Sequence, residues 1–411
     1  MKAVITKHIN EKSAKEPGRG KHVWLICILG ALGAFGPLSM DMYLPSLPSL
    51  TGDLHTTTSL AQLSITGCLI GLAVGQIVIG PFSDSRGRRA PLLAGLLLFT
   101  ATSFLCTIVT SIGWLIFLRL MQGIAGSAGL VISRAIARDF YSGKKLTQFF
   151  SMLMAVNGLF PILAPIIGGF VLRFTSWHGI FVILGLIGFS LFLGAFFGLP
   201  ESLPPGKRMT GGIRGSFSAI GSLFRNKVFI GYAAVQGLIM GAMFCYIAGS
   251  SFVLQEMFGV SPFGFSLFFA TNGLGIVLMS QVAGFLSGRT SEKKILGTGT
   301  WIAALGSLAL FFSLFLHPVQ LIAVIVPLFF VVSMVGLVNT TAFSLAMQSQ
   351  GQVAGSAAAI LGLGMNTVGG VLSPLVGIGG SHTYFPMALL ILLCDAGALL
   401  IYLLLLRKQT A

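Results

Sequence analysis

The sequence predicts an all-α integral membrane protein, with twelve transmembrane helices arranged as two six-helix repeats. Three observations predict it. Of the 411 residues, 55% are hydrophobic and 9% charged, against about 25% charged in soluble proteins, too few to solvate a globular surface. Apolar runs of the length a bilayer requires, about 20 residues, recur along the whole chain. Between two of them lies Gly80-Pro-Phe-Ser-Asp84-Ser-Arg86-Gly-Arg88-Arg89. Three arginines and an aspartate do not belong in hydrocarbon, so this run is expected to be a tight turn at one membrane face.

The elements follow in order. Residues 1–21 carry Lys2, Lys7, Lys12, Lys15, Arg19 and Lys21. The apolar run after them is longer than a signal-peptide core and has no prompt small-x-small cleavage site, so a retained cytoplasmic tail is expected. Spans are expected at 23–45, 59–80, 90–110, 113–137, 149–172 and 178–199. A polar gap follows, then spans at 228–254, 263–287, 295–316, 319–346, 354–378 and 384–406. The gap, Pro200 to Asn226, holds Pro204, Pro205, Gly206, Gly211 and Gly212 with Lys207, Arg208, Arg214 and Arg225. The expected organisation is a tail (1–21), a six-helix bundle (22–199), a cytoplasmic linker (200–226) and a second six-helix bundle (227–411).

Charge sets the orientation. With the N-terminus inside, the inner segments hold the tail lysines, Arg86, Arg88, Arg89, Arg138, Lys144, Lys145, the linker basics, Lys227, Arg289, Lys293, Lys294, Arg407 and Lys408. The outer loops hold only Arg173. Positive-inside topology therefore predicts both termini in the cytoplasm. It also explains the net charge of +15, which in a soluble protein would suggest nucleic acid. The inner loop near Gln348–Gln352 lacks a basic residue.

The 54 glycines fall largely in apolar runs, which predicts closely approaching helices. Cys27, Cys68, Cys106, Cys245 and Cys394 all lie in spans without metal-ligand spacing, and read as small core residues. No phosphate-binding Gly-x-x-x-x-Gly-Lys-Ser/Thr loop and no His-Glu-x-x-His or paired-cysteine metal site is present. No cofactor or metal is expected, and an ion gradient is the expected energy source. Each charge crossing the potential yields about 2.3 kcal/mol per 100 mV.

The halves repeat. Gly80 to Arg89 has a decayed echo in Gly284-Phe-Leu-Ser-Gly-Arg-Thr-Ser-Glu-Lys293. Asn157, Ala164-Pro165 and Gly168 are matched at identical spacing by Asn366, Ser373-Pro374 and Gly377. Two parallel six-helix repeats with a site between them at mid-membrane is the plan of the major facilitator transporters.

The motifs carry a resemblance to that family. Gly80 to Arg89 resembles its conserved loop motif, and Arg119-Leu-Met-Gln122-Gly123 the fourth-span motif of proton-coupled members. Asn157 to Gly169 resembles the fifth-span motif of antiporters, with Ala164 where glycine is usual. Ser39-Met40-Asp41-Met42-Tyr43-Leu44-Pro45-Ser-Leu-Pro48, Ser176-Trp177-His178, Leu199-Pro-Glu-Ser-Leu203 and Ala354-Gly355-Ser356-Ala357 resemble the bicyclomycin-resistance (Bcr/CflA) branch of bacterial drug:proton antiporters.

Asp41 is the first candidate for proton coupling, because a carboxylate within a span costs about 2.5–3.5 kcal/mol and usually marks function. The alternative is a wet carboxylate at the outer end of the span. Arg119 lies at similar depth and is expected to couple to Asp41 directly or through water, or else to bond backbone carbonyls and fix the fold. Asp395, midway along the last span, is either a second proton site or a packing hydrogen bond. Glu256 is expected in an outer loop, solvated.

Gly80, Asp84 and Arg88 form the expected conformational latch, with Asp84 placed near a helix N-terminus, where the dipole favours it. The resemblance implies that Asp84 meets the eleventh span when the inner face closes. Pro165, Gly168 and Gly169 are expected to bend the fifth span and pack it against the second half, which the resemblance associates with antiport. Tyr43, Asn157, Gln236, Phe244, Tyr246, Asn272, Asn339 and Asn366 are polar or aromatic residues within spans. They are the candidate cavity lining for an amphipathic ligand, with packing as the alternative for each.

The expected function is proton-driven export of small amphipathic drugs across a bacterial inner membrane, by a monomer that binds no nucleic acid. The same fold exporting a metabolite, amino acid or siderophore is the alternative. Proton-driven uptake, or a membrane-embedded enzyme or receptor, are further rivals.

Overall fold

The computed structural model describes residues 19–141, 159–160, 162–204, 206, 208, 226–316, 318–348, 354–380 and 383–407. Most of the expected tail and linker, Lys144, Lys145 and Asn157 lie outside the described residues. The first span comprises α1 (Arg19–Gly33), α2 (Phe35–Asp41), a 3-10 turn (Leu44–Ser46) and α3 (Leu47–Asp53). Then come α4 (Thr58–Arg86), α5 (Arg89–Cys106), α6 (Ile112–Phe140), α7 (Ile162–Val171) and α8 (Trp177–Gly198). The second half holds α9 (Lys227–Phe252, continued to Met257), α10 (Pro262–Ser287) and α11 (Glu292–Phe312, continued to Phe315). It ends with α12 (Leu321–Met347), α13 (Ala354–Val376) and α14 (Phe385–Ile401, continued to Leu406). The described residues contain no strand.

Among the described residues, ten helices are long and apolar enough to cross a membrane, and the bent first span makes eleven. The shorter α7 emerges from undescribed residues at the position of the fifth span and completes twelve. Short polar side chains start several of them, supplying an acceptor to amides that have no helical partner. Thr57 caps Leu60 N of α4, Asn226 caps Val228 and Phe229 of α9, and Ser261 caps Gly264 of α10.

Glycine sets the packing inside each half. A Cβ on Gly71 or Gly123 would strike the backbone of the facing helix, so α4 and α6 touch main chain to main chain. Gly336 of α12 meets the Ile276 carbonyl of α10 in the same way. Small residues at these seams permit the approach that dispersion forces reward in lipid. Large apolar side chains such as Ile77, Leu97, Phe197, Leu278 and Leu404 remain exposed, as a lipid-facing surface requires.

One end carries Arg86–Arg89, Arg208, Lys293 and Lys294; we term it the basic end and its opposite the far end. Gln348 donates to Glu292 across 2.9 Å, so the end of α12 lies beside the start of α11. The buried apolar residues fall into two clusters. One fills the first half and continues into the far end of the second, through Ala242–Phe269, Leu310–Val332 and Val376–Cys394. The other is confined to the basic end of the second half, from Phe229 to Leu406. The two halves thus share a core at the far end.

Three expectations need correction. The first span is not one helix: Cys27–Gly33 and Leu38–Asp53 meet at 50°, since Pro37 has no N–H for the Gly33 carbonyl. The run from Gly80 is not a loop: α4 continues through Pro81 to Arg86, and the turn is confined to Gly87 and Arg88. Asp84 therefore lies at a helix C-terminus, where the dipole disfavours it, and an ion pair with Arg88 one turn on compensates. Cys27 is exposed, whereas the other four cysteines are buried.

Candidate functional site

The site begins at the interruption of the first span. Asp41 is the last residue of α2; Met42 and Tyr43 then turn the chain into the Leu44–Ser46 segment. Pro45 and Pro48 impose this, because each withholds the N–H an α-helix needs there. Asp41 is 6% exposed and has no hydrogen-bond or ion-pair partner among the described residues. It lies within electrostatic reach of Tyr246 on α9 of the other half. The Tyr246 hydroxyl accepts from Asn272 Nδ2 on α10 at 2.8 Å, and its ring stacks on Phe269 at 5.5 Å. A carboxylate from one half thus lies within electrostatic reach of a hydrogen-bonded phenol from the other.

Arg119 is fully buried and makes no ion pair with Asp41. Its guanidinium lies 5.0 Å from the Tyr43 ring and 5.7 Å from the Phe181 ring. It donates to Gln122 Oε1, and Gln122 Nε2 donates to Ser103 at 2.7 Å. The Tyr43 hydroxyl bonds Ser64 at 3.0 Å. Trp177 backs this box against Phe181 and donates from Nε1 to Asp53 at 2.8 Å. Tyr43 consequently faces the interior of the first half, and Arg119 reaches the Asp41 turn through that ring.

The fifth-span glycines meet the same turn. A Cβ on Gly168 would strike the Met42 carbonyl, and one on Gly169 would strike Ser266 of α10. Pro165 is buried within α7. The motif thus seats α7 simultaneously on the first span and on the second half.

Among the other candidates, Gln236 is buried and donates from Nε2 to Asn339, while its own Oε1 has no donor. Phe244 packs so closely on Gly369 that a Cβ there would overlap its ring. Asn366 is half-buried. Asp395 lies inside the second half near Cys245 of α9 and Ser307 of α11. It is 1% exposed and neither carboxyl oxygen has a hydrogen-bond donor. The Ser307 hydroxyl instead donates to the Ala304 carbonyl at 3.0 Å. Glu256 is exposed, as expected, but it lies on the helical continuation of α9, Val253–Met257, and not in a loop.

At the basic end, Arg88 pairs with Asp84 and, at 3.3 Å, with Asp139 of α6. Ser202 donates to the same Asp139 oxygen at 2.7 Å. Glu201 accepts from the amides of Arg88 at 2.8 Å, Leu203 at 3.0 Å and Arg89 at 3.2 Å. Burial alone would push the Glu201 carboxyl up, but these amides and the Arg208 charge outweigh it and hold it below its ordinary value. Gly87 adopts φ +98°, with Glu201 and Arg208 within 3 Å of where a Cβ would stand. Gly80 has room for a Cβ, 3.8 Å from Val131. Apart from Asp139 of α6, these partners lie between Glu201 and Arg208, after the first bundle, and among the described residues Asp84 is paired with Arg88 and not with the eleventh span.

Twelve spans in two halves around this seam have a family counterpart. The family model described as "Major Facilitator Superfamily" matches residues 29–374. The chain belongs to the Major Facilitator Superfamily. It is 42% identical over 365 residues to the "Uncharacterized MFS-type transporter YdgK" of Bacillus subtilis (strain 168), covering 88% of this chain and 90% of that one. It is 29% identical over 377 residues to the "Bicyclomycin resistance protein homolog" of Haemophilus influenzae (strain ATCC 51907 / DSM 11121 / KW20 / Rd), covering 92% and 94%. Its fold matches a bacterial homologue of the human lysosomal transporter Spinster, solved inward-facing and occupied, with TM-score 0.78, 14% identity and coverage of 95% and 98%. As a member of this superfamily the chain is a multi-pass membrane transporter.

Sequence reasoning missed the residues that join the halves. Ser59, Gln62, Ser251 and Gln255 all donate across the seam. The signal was present: Ser59 with Gln62, and Ser251 with Gln255, stand three and four residues apart on single helices, which puts each pair on one face. It also missed Asp139, partner of Arg88.

Proposed function

We propose that this transporter exports small amphipathic molecules from the cytoplasm in exchange for protons, with Asp41 as the proton carrier. The observation that carries the reading is the buried, unpartnered Asp41 carboxylate at the interrupted first span, within electrostatic reach of Tyr246 across the seam. A lone carboxylate there can hold either a proton or a donor group of a substrate, so the two compete for one position. Apolar walls give affinity and the phenol–amide pair gives orientation. Arg119, stacked on Tyr43 two residues beyond Asp41, fixes the turn against which the carboxylate works.

The basic end faces the cytoplasm in this reading, because basic loops remain on that side. Both termini and the linker lie there, and the two bundles 22–199 and 227–411 rock about the site. The transporter acts as a monomer and needs no cofactor. Resistance to bicyclomycin in the name of one relative supports an antibiotic-like cargo.

Efflux from cells preloaded with a fluorescent amphipathic cation tests this. Expression of the wild type should accelerate efflux, a protonophore should abolish the gain, and Asp41→Asn should match empty vector. Efflux indifferent to the protonophore would contradict proton coupling. An accelerated efflux that survives Asp41→Asn would move the carrier elsewhere.

A further inference from the structure

The lipid-facing side of α8 carries a row of phenylalanines. Phe189, Phe192 and Phe196 recur at helical spacing, which puts them on one face. Phe189 stacks on Phe192 at 6.5 Å with 16° between the rings, and Phe192 on Phe196 at 5.9 Å with 25°. Phe197 meets Phe196 edge-on at 5.1 Å and is 81% exposed. Phe189 and Phe196 are exposed as well. The row extends about 10 Å along the helix, roughly a third of the hydrocarbon core.

The row ends at a cation. The half-buried Arg89 guanidinium lies 5.5 Å from the Phe196 ring, and its Nη2 donates to the Phe196 carbonyl at 2.6 Å. That bond satisfies one of the carbonyls left free at the end of α8 and fixes the guanidinium at the head of the row. Its Nε has no acceptor. Both ion pairs among the described residues belong to Arg88, with Asp84 and Asp139. Glu201 accepts from the backbone amides of Arg88 and Arg89, not from the Arg89 guanidinium. Arg89 therefore keeps an uncompensated charge at the edge of the hydrocarbon. On another flank of α8, the exposed Trp24 ring of α1 lies where a Cβ on Gly198 would stand.

We propose that this edge of the basic end binds one phospholipid of net negative charge, with its phosphate on Arg89 and an acyl chain along the phenylalanine row. A planar, weakly hydrated guanidinium held over a ring keeps N–H groups for phosphate oxygens. The stacked rings make a flat strip on which an acyl chain gains many small dispersion contacts. Net charge matters because the neighbouring acids are engaged: Asp84 and Asp139 hold Arg88, and Glu201 holds three amides beside the Arg208 charge. No carboxylate is left for the ammonium of a zwitterionic headgroup, whereas an anionic lipid supplies the charge that Arg89 lacks. Arg89 directly follows the Gly87–Arg88 turn, so the lipid bears on the segment that holds the Asp84–Arg88 pair. Arg289, 4.1 Å from the exposed Phe285 ring, is the comparison: an arginine at the same end with no stacked row beneath it among the described residues. The proposal is independent of the cargo and of proton coupling.

Fluorescence quenching of the full chain in reconstituted vesicles tests it. Trp24 is the reporter, and subtraction of the Trp24→Phe signal isolates it. Phosphatidylcholine vesicles carry a small fixed fraction of an acyl-brominated lipid: phosphatidylglycerol, phosphatidylethanolamine or phosphatidylcholine. Brominated phosphatidylglycerol should be preferred over phosphatidylcholine by about tenfold, the factor that 1.4 kcal/mol produces. Phosphatidylethanolamine should behave as phosphatidylcholine does. Arg89→Gln, which can still donate to the Phe196 carbonyl, should abolish the preference. Phe192→Leu should reduce it with every charge retained. Arg289→Gln removes the same charge from the same end and should leave it intact. Equal quenching by the three lipids, or a preference that survives Arg89→Gln, overturns the site. A preference lost equally in Arg89→Gln and Arg289→Gln is diffuse attraction to the basic end and overturns it too. Phosphatidylethanolamine matching phosphatidylglycerol overturns the requirement for net negative charge.

Discussion

Gly168 lies against the backbone carbonyl of Met42, the residue that follows Asp41, with no space for a side chain between them. The fifth-span motif is thereby in direct contact with the turn that presents the carboxylate. The obstructing atom is main chain, which cannot swing aside as a flexible side chain would. Gly168→Ala should destabilise by about 1–3 kcal/mol, as overpacking of a tight site does, and should reduce transport. Gly284→Ala, with nothing within 4 Å of its Cβ position, should be neutral or slightly stabilising. Thermal unfolding of the purified variants checks both.

Arg119 is held by rings and an amide, not by an acid. Its two aromatic contacts at 5.0 and 5.7 Å need a planar, weakly hydrated cation, so lysine is not an equivalent. Arg119→Lys should lose transport nearly as completely as Arg119→Ala. A double-mutant cycle with Phe181→Leu should give a coupling energy of about 1–2 kcal/mol, the range for desolvated cation–π contacts. Tyr43→Phe should retain most activity, whereas Tyr43→Leu should not.

Glu201 gives a pH prediction with a definite sign. Its carboxyl is held below the ordinary 4.5 in the folded protein. Its contribution is therefore fully present above that value and is lost as pH falls through the lower folded one. Glu201→Gln should lower the unfolding temperature at neutral pH and flatten the acid limb of the stability profile. Unfolding temperature measured from about pH 3 to pH 7 reads this directly, and parallel profiles for the two proteins would contradict it.

Asp395 separates the two carboxylates in function. It is enclosed by α9, α11 and α14 within the second half, whereas Asp41 stands at the seam. Asp395→Asn preserves the shape of the side chain and should retain transport with an unaltered pH profile. Asp395→Leu removes two buried oxygens that have no donor, so it should leave the second half at least as stable and should not mimic Asp41→Asn in transport assays.

Much of this was legible in the sequence. Span length and apolarity located the twelve helices, and the expected 59–80, 113–137 and 263–287 lie within α4, α6 and α10. Hydropathy failed where a helix carries charge beyond the hydrocarbon: α4 runs on to Arg86, so Asp84 became a C-terminal residue. It failed again at the first span, where an apolar average conceals a backbone interrupted by Pro37, Pro45 and Pro48. The site was half legible. Asp41 and Arg119 stood out because ionisable residues in spans are costly. That Tyr43 would turn toward Arg119 depends on helix rotation and on contacts more than 70 residues apart in sequence, which no local pattern encodes. The donors that cross the seam are ordinary Ser and Gln residues whose acceptors come within reach only once the halves meet.

Proton flux in everted membrane vesicles energised to an acidic interior tests the central claim most directly. A panel of amphipathic antibiotics is added to vesicles carrying the wild type or Asp41→Asn. The account predicts proton release from wild-type vesicles on addition of a transported compound, and none from the variant. Release that persists in Asp41→Asn, or transport of a compound without any release, would contradict it.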